Sequence, residues 1–417
     1  MRPSIASFGG LTLAAIVTLF PACGGDDPGG SPTDDDGAGA SSSPGAGGTG
    51  GTGGTGGTGA TGPGSGAGGS GGGYTYSPPD LRGQVFVSHY LGDYELVGVK
   101  SDDLSPLTGS PMDPGAPTSG VAGIAKHGHL AVALEGGSSI VVYDAGTMAP
   151  LPGSPYATGF GPVDIAHDDA RDLLYVYCIG TEGDPSKSLI TVYDTSSVPY
   201  QPIAGSPFDI DVAATAIDVD PVTGTLFGVS LFTRWAVTLE GGVVSHRAGS
   251  PSEIADGTGS DVVVDPIRRR VYVGERIIAQ DQRVHAFDVD TLMPVAGSPV
   301  AIPGSSLGDL ALHPMTGDLF AVDFGSTKLH SIQAEPLSLR NTCGSMGCFV
   351  PTTETGLSID YELDRLFIVH VPDLNEPDAG DGFLTAWDIS DPAMPTEITM
   401  SGSRPKLRVY PVTATSL

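Results

Sequence analysis

The chain has 417 residues, of which 62 are glycine, 35 are proline and only 16% are charged. Acidic residues outnumber basic ones by 48 to 19, which gives a formal net charge of −29 at pH 7. Such a charge repels phosphate backbones and anionic lipid headgroups, so we expect no nucleic acid partner and no electrostatic attraction to a membrane. We interpret the excess of acidic residues as a solvated surface.

The first element is an N-terminal leader. An apolar run over residues 5–20 is too short to span a membrane, and Ala22 and Cys23 follow it. This pattern predicts a signal peptide over residues 1–22. A small residue directly before a lone cysteine resembles the lipobox of bacterial lipoproteins, which implies acylation of Cys23 and anchoring in the cell envelope. The chain departs from that motif at Phe20, where leucine is usual, and free secretion is the alternative.

A low-complexity segment follows the leader. Residues 23–79 are dominated by Gly, Ser, Thr, Ala and Asp and have almost no apolar side chain to bury. They cannot offset the entropy lost on ordering, so we predict a disordered tether that begins at the anchor cysteine. The serine within residues 68–72 matches the nucleophile-elbow pattern G-x-S-x-G, but no strand precedes it and no helix follows, so no catalytic serine is predicted there. The folded domain is then residues 80–417.

Repetition dominates the folded domain. The triplet Gly-Ser-Pro begins at Gly109, Gly153, Gly205, Gly249 and Gly297, with spacings of 44, 52, 44 and 48 residues. Periods of 40 to 50 residues that contain several short strands are typical of β-propeller blades. Proline removes a donor from the strand ladder, so we expect the segment that contains the triplet to be the outer strand of each blade.

Three further segments recur between the triplets. The first is apolar and ends in a turn such as Asp220-Pro221-Val222-Thr223-Gly224. The second follows that turn, and the third ends in an aromatic residue followed by an aspartate, which we expect to cap the next turn. These aspartates are Asp144, Asp194, Asp288 and Asp388.

Strand counts predict the number of blades. The second strand occurs seven times, beginning near Gln84, His129, Leu173, Thr225, Arg270, Asp318 and Arg365. The earliest copy of the first strand lies near Gly120, so none precedes the second strand at Gln84, and the last copy is the segment 406–411. We therefore predict an all-β propeller of seven four-stranded blades, in which residues 406–411 supply the inner strand of blade one and close the ring.

The repeat pattern resembles that of the seven-bladed lactonase-type propellers and the related YVTN-repeat surface proteins. It consists of an inner strand ending in x-Pro, a turn, L-Y-V-x, a third strand ending in V-Y-D, and then Gly-Ser-Pro, and it covers residues 83–417. The resemblance implies the fold. It leaves function open, because the same scaffold serves lactone hydrolysis, ring-forming isomerisation and plain binding. The pair Trp387-Asp388 gives a minor alternative, the WD40 propellers.

Candidate site residues lie where the second strands end. YVTN repeats usually have asparagine there, whereas this chain has ionisable residues on four consecutive blades, namely Glu275, Asp323, His370 and His89. Converging carboxylates and imidazoles bind a divalent cation or activate water against a lactone carbonyl, so these four are our candidate catalytic residues. The simpler interpretation is a set of polar side chains bonded to neighbouring turns.

Two further features are local. One loop carries Asp373, Asn375, Asp378 and Asp381, and this density of oxygen ligands suits a divalent cation such as Ca²⁺. The loop lacks the EF-hand spacing. The alternative interpretation is a solvated acidic loop. The close spacing of Cys343 and Cys348 predicts a disulfide in an exported protein. Cys178 lies inside a strand and should be a buried, inert thiol.

The sequence leaves two candidate functions open. The first, which we prefer, is a binding or interaction module that recognises a protein, a polysaccharide or a small molecule through its funnel face. The second is a lactonase-like hydrolase that opens a small lactone, with or without a metal ion. We expect a monomer that contacts the membrane only through its N-terminal lipid.

Overall fold

The computed structural model describes residues 76–89, 95–134, 137–181, 187–254, 256–277, 280–304, 306–323, 328–343, 353–371, 382–398, 406–407 and 411–416. They belong to one compact unit, Tyr74–Leu417. The predicted signal peptide and all but the last four residues of the predicted tether lie outside the described residues.

Every regular element of the described residues is a β-strand. The first strands are β1 (Gln84–His89), β2 (Leu96–Lys100), β3 (Thr118–Ile124), β4 (His129–Leu134), β5 (Ser139–Asp144), β6 (Ala149–Pro150), β7 (Tyr156–Ala157), β8 (Phe160–Asp168), β9 (Leu173–Gly180), β10 (Ser188–Asp194), β11 (Gln201–Pro202) and β12 (Phe208–Ile210). The next are β13 (Ala216–Asp220), β14 (Thr225–Val229), β15 (Thr233–Glu240), β16 (Val243–His246), β17 (Ser252–Glu253), β18 (Thr258–Asp265), β19 (Arg270–Arg276), β20 (Gln282–Asp288) and β21 (Val300–Ile302). The last are β22 (Leu307–Leu312), β23 (Leu319–Asp323), β24 (Lys328–Ala334), β25 (Leu337–Cys343), β26 (Thr353–Asp360), β27 (Arg365–Val371), β28 (Gly382–Asp388), β29 (Thr396–Glu397), β30 (Lys406–Leu407) and β31 (Pro411–Ser416).

The strands form propeller blades. In the described part of the chain, six antiparallel sheets have four or five strands, each from one continuous stretch: blade A (β3–β7), blade B (β8–β12), blade C (β13–β17), blade D (β18–β21), blade E (β22–β25) and blade F (β26–β30). One further sheet, the closing sheet, has three strands in the order β2-β1-β31. The predicted count of seven four-stranded blades is therefore wrong, and the count in this structure is six. The segment after β2 forms only the isolated bridges Leu96–Met112 and Val99–Pro106, because its prolines cannot donate to a ladder.

The ends of the domain meet in the closing sheet. Strand β31 pairs antiparallel with β1, with Val85 opposite Ser416, and it contacts the inner strands β26 and β3 on either side. The predicted pairing of a C-terminal strand with β1 is confirmed, but its predicted bounds, residues 406–411, are wrong. Lys406 and Leu407 instead pair with β28 at the outer edge of blade F. After β29, the chain therefore forms β30, which also pairs with β28 at the outer edge of blade F, and it then continues to the inner position next to β1 as β31.

The hydrophobic core lies between neighbouring blades. Side chains of blade A pack against those of blade B in one cluster that includes Leu174 and Tyr193, and similar clusters follow at the next interfaces. Trp387, Tyr143 and Tyr272 are among the largest fully buried side chains. Successive residues of a strand point to opposite faces, and apolar residues on both faces let each blade bury both sides.

The Gly-Ser-Pro triplets interrupt the outer strands. Each glycine has a positive φ between 85° and 95°, and each Ser-Pro peptide bond is cis. In every triplet the serine Oγ accepts a hydrogen bond of 2.7–3.0 Å from a third-strand N–H; the donors are Gly98, Val142, Val192, Ala236 and Ala286. The side chain thus replaces the backbone acceptor that the interrupted strand no longer supplies. The predicted outer position of the triplet is confirmed.

The third-strand aspartates act as predicted. The carboxylates of Asp144, Asp194, Asp288 and Asp388 each accept a 2.9 Å hydrogen bond from a backbone N–H two or three residues later in the following turn. A short acidic side chain satisfies turn donors in this way at a strand end.

Candidate functional site

The predicted catalytic residues lie at or next to second-strand ends. Glu275, Asp323 and His370 occupy β19, β23 and β27, and their side chains are 2%, 0% and 0% exposed. His89 ends β1, opposite Pro411 of the closing strand. The alignment of these positions on consecutive sheets is as predicted from the sequence, but the side chains of Glu275, Asp323 and His370 have separate environments.

Glu275 lies on β19 of blade D and is buried. Its Oε2 is 2.8 Å from His285 Nε2 and 3.6 Å from Arg283 Nη1. The His285 ring stacks on Phe287, and Arg234 of blade C lies 4.2 Å over the centre of the Phe287 ring. Burial lowers the pKa of Arg234, and the Glu275 carboxylate opposes that shift. His285 was not predicted from the sequence. The only indication of its role is its position on β20, the strand that pairs with β19.

Asp323 supports a loop of its own blade. Its Oδ1 accepts a 2.8 Å hydrogen bond from the backbone N–H of Ser306, just before β22, and its side chain fills the space beside Gly304. His330 of the same blade is fully buried, and burial lowers its pKa to about 4 although Asp323 opposes the shift. The imidazole Nδ1 lies 3.1 Å from Thr342 Oγ1. Both residues stabilise blade E from within.

His370 is also held inside one blade. Its Nε2 lies 2.7 Å from Thr385 Oγ1, and its ring stacks on Phe383 at a centroid distance of 4.5 Å. Within the described ranges, no group of three or more His, Cys, Asp or Glu side chains is arranged to hold a metal ion. A catalytic role for the four residues stays a prediction.

Several predicted sites lie outside the described residues. These are Cys23, Cys348 and the acidic loop with Asp373, Asn375, Asp378 and Asp381. Cys343 ends β25. Cys178 is buried as predicted, and burial raises the pKa of its thiol to about 11, which disfavours the reactive thiolate. A search of the described part of the chain for a helix long and apolar enough to cross a membrane found none.

Aspartates on the inner strands connect neighbouring blades, and sequence reasoning missed them. Each accepts a 2.7–2.8 Å hydrogen bond at Oδ2 from a backbone N–H of the next blade. The four pairs run from blade B to blade F: Asp164 with Ile217, Asp218 with Val264, Asp261 with Leu310, and Asp309 with Leu357. Their signal in the sequence is an acidic residue inside an otherwise apolar first strand.

Burial dominates the electrostatics of these aspartates. The side chains keep some access to solvent, but protein surrounds them, and this raises the pKa of Asp164 and of Asp218 to about 7. The pKa of Asp261 is raised well above its usual range by burial and by the neighbouring Asp309, to which it is hydrogen-bonded. Their geometry is that of joints between blades, because each carboxylate already has backbone partners.

A short N-terminal segment lines a cavity at the end of the domain opposite the ends of the second strands. Residues 76–82, here called the strap, run beside the hairpins that join first and second strands. The Leu81 N–H donates to Glu362 Oε1 of blade F at 2.7 Å, and the Tyr361 hydroxyl donates to the Pro79 carbonyl. Arg82 Nε donates to the Ala125 carbonyl of blade A at 3.3 Å. The strap is thus fixed to blades on both sides of the closing sheet.

The strap and two hairpins enclose what we call the mouth cavity, of about 470 Å³. Ligand pockets in proteins have volumes of roughly 300–1,000 Å³. The cavity is lined by Tyr76, Ser77, Pro79, Asp80, Leu81 and Arg82 of the strap and by Ala125, Lys126, Asp169 and Ala170 of blades A and B. No motif in the sequence predicts this cavity, because most of the strap belongs to the predicted tether.

Comparison with known proteins supports the fold. No protein-family model matches the chain, and no curated protein sequence is significantly similar to it. A functionally unknown protein from Desulfotomaculum acetoxidans has a similar structure, with a TM-score of 0.59, 11% identity and coverage of 80% of this chain and 99% of that one. A proposed 6-phosphogluconolactonase from Bacteroides fragilis gives a TM-score of 0.58 at 13% identity, over 80% of this chain and 97% of that one.

A second proposed 6-phosphogluconolactonase, from Bacteroides uniformis, gives a TM-score of 0.57 at 11% identity and covers 80% of this chain and 99% of that one. At such identities the likeness shows the β-propeller fold alone.

Proposed function

We propose that this protein is an exported β-propeller that acts as a binding module and not as a hydrolase. The observation that carries the proposal is the engagement of the candidate catalytic side chains: Glu275 contacts His285, Asp323 accepts from Ser306, and His370 contacts Thr385. Buried polar groups with such partners are typical of structural contacts. The mouth cavity offers an open recess for a ligand instead.

The proposal includes the cell envelope as the place of action. Its support is the leader over residues 1–22, the lone Cys23 and the glycine-rich tether. Acylation predicts that the Cys23→Ser variant moves from the membrane fraction to the soluble fraction, and an unchanged distribution argues against the anchor.

We further infer that the three-stranded closing sheet closes the ring between blades A and F. Strand β31 contacts the inner strands of blades A and F, so it occupies the inner position between these two blades. The bridges at Met112 and Pro106 mark the path of an outer strand that the prolines interrupt.

A lactonase-like hydrolase is the second candidate. The pair Glu275–His285 favours it, because a carboxylate that orients an imidazole is the usual arrangement of a general base. The structural similarity to two proposed 6-phosphogluconolactonases points the same way. His285 keeps 21% of its side chain exposed, so a substrate could reach it.

One experiment separates the two functions. The purified protein is incubated with a panel of γ- and δ-lactones, with and without a chelator, beside the variants Glu275→Gln and His285→Gln. Glu240→Gln, which changes an exposed glutamate on blade C, serves as the matched control. We expect no hydrolysis above the blank in any sample. The binding module would be contradicted if the native chain and the control turned over a lactone and both the Glu275→Gln and the His285→Gln variant lost that turnover with unchanged melting.

A further inference from the structure

Two of the inner-strand aspartates lie on neighbouring blades and meet at one backbone N–H. The Leu310 N–H donates to Oδ2 of Asp261 on blade D at 2.8 Å and to Oδ1 of Asp309 on blade E at 3.1 Å. The second oxygen of Asp261 accepts from the Val262 N–H at 2.8 Å. The second oxygen of Asp309 accepts from the Leu357 N–H at 2.8 Å. Main-chain donors of three blades thus hold the two carboxyl groups side by side.

Irregular strand pairing brings these two side chains together. The register of β18 on β19 shifts between Gly259 and Val262, and the register of β22 on β23 shifts between Leu307 and Leu310. Asp261 and Asp309 lie within these two shifts. A β-bulge of this kind turns a side chain away from the face that regular alternation would give it. Each bulge therefore directs a carboxyl group to the joint between blades.

The pair is confined to the joint between blades D and E. When the first strands are aligned by their turns, the position of Asp261 and Asp309 is occupied by Gly120 in blade A, Asp164 in blade B, Ala216 in blade C and Gly356 in blade F. Asp164 therefore faces an alanine position on the next blade, and its Oδ2 accepts from the Ile217 N–H. Among the described blades, D and E are the neighbours that both carry aspartate at this position.

No cation neutralises the pair. In the described ranges neither Asp261 nor Asp309 forms an ion pair, and the nearby titratable groups on the inner strands are the acidic Asp164 of β8 and Asp218 of β13. Burial and then the neighbouring Asp309 raise the pKa of Asp261 well above its usual range, and burial raises the pKa of Asp309. Two carboxyl groups that share a site without a cation cannot both ionise easily.

Other charged groups on the strands packed against β18 and β22 have partners of their own. Glu275 and Arg276 of β19 contact His285 and the Leu307 carbonyl, Asp323 of β23 accepts from Ser306, and Asp220, Asp265 and Asp360 accept from their own turns.

We infer that Asp261 and Asp309 share one proton at neutral pH and form a pH-sensitive joint between blades D and E. With the proton in place, the O–H of one carboxyl group donates to the carboxylate of the other. As the pH rises, this proton passes to solvent, to which both side chains keep some access. Two negative charges then face each other across the joint, and it weakens. This property goes beyond the proposed binding function and does not depend on it.

The first test is urea unfolding of the full-length protein as a function of pH. Both pKa values are raised above the ordinary 3.8, so the stabilisation is fully present below pH 3.8 and is lost as the pH rises through the folded-state values. Between about pH 6 and about pH 8, we expect the unfolding equilibrium constant of the native chain to rise about 10-fold more than that of Asp261→Asn or Asp309→Asn.

Double variants distinguish a shared proton from two separate ones. Either single substitution removes the same proton, so the effects of Asp261→Asn and Asp309→Asn on the pH dependence should not add. Asp164→Asn removes an aspartate at a different joint, and its effect should add to that of Asp261→Asn. Additive effects within the pair would overturn the inference.

Infrared spectroscopy detects the proton itself, because the C=O stretch of a protonated carboxyl group is absent from a carboxylate. At about pH 8, above the Asp164 pKa of about 7, the native chain should show this band, and both Asp261→Asn and Asp309→Asn should lose it. Asp164→Asn is the matched control and should retain the band. Thermal melting checks each fold, and either pair variant suffices if the other does not fold. A band that is absent from the native chain, or unchanged in a folded pair variant, would overturn the inference.

Discussion

The six blades and the closing sheet are built in different ways. Every strand of blades A to F pairs with strands from the same continuous stretch of chain, through hairpins that join neighbours. In the closing sheet, β1 pairs with β31 from the other end of the domain, for instance Val85 with Ser416. Local turn chemistry therefore builds each blade, whereas the ring is closed by long-range contacts between the two ends of the domain, which no local signal specifies.

The largest effect should come from breaking the closing sheet. Deletion of residues 411–417 removes β31, which leaves one edge of β1 unpaired and exposes the inner strands of blades A and F. We expect a loss comparable to the stability of an ordinary domain, about 5–15 kcal/mol, seen as failure to fold or a much lower melting temperature. Deletion of seven residues within the glycine-rich segment, 47–53, is the control, and equal melting of both deletions would refute the closure.

A smaller effect should follow from a change inside one blade. Ser206→Ala removes the side-chain acceptor of the Val192 N–H in blade B, where the donor lies in a strand interior. An unsatisfied buried donor costs about 1–3 kcal/mol. In blade E the outer strand β25 is unbroken, and Ser338 there only donates to the Pro336 carbonyl at the exposed edge. Urea unfolding should therefore show little change for Ser338→Ala, and similar losses for the two variants would contradict the role given to the triplets.

The joints between blades should give the smallest effect, and one that depends on pH. The folded-state pKa of Asp164 is about 7, above its ordinary value of 3.8, so the folded protein binds this proton more tightly than the unfolded chain. The resulting stability is fully present below pH 3.8 and is lost as the pH rises through 7.

In Asp164→Asn we expect the difference in unfolding free energy between pH 6 and pH 7 to change by about 1 kcal/mol, because the group loses at most about 1.4 kcal/mol per pH unit between its unfolded and folded pKa values. Native protein should lose more stability than the variant over this range. A variant with the same pH dependence as the native chain would show that the Asp164 joint does not titrate in this way.

The sequence allowed much of the fold to be predicted. Blade period, strand order, turn capping by Asp144 and its counterparts, and the outer position of Gly-Ser-Pro all follow from rules that act over a few residues. The closing strand was misplaced because the segment beginning at Lys406 has the same alternating pattern as a first strand. Only the three-dimensional structure shows that it completes blade F.

The candidate site was less predictable. The alignment of Glu275, Asp323 and His370 at strand ends could be read from the repeats, but their partners His285, Ser306 and Thr385 come from neighbouring strands and loops. Side-chain partners across a ladder depend on exact register, and a shift of one residue reverses the face. The mouth cavity depends on where the strap crosses, which composition does not encode.

The central claim is that this propeller binds a ligand without transforming it. The most direct test is the rate of proton release from γ- and δ-lactones at constant pH, measured for the native chain and for Glu275→Gln. The account predicts that both rates equal the uncatalysed blank. Release by the native chain above the blank, abolished in a Glu275→Gln protein that melts normally, would contradict it.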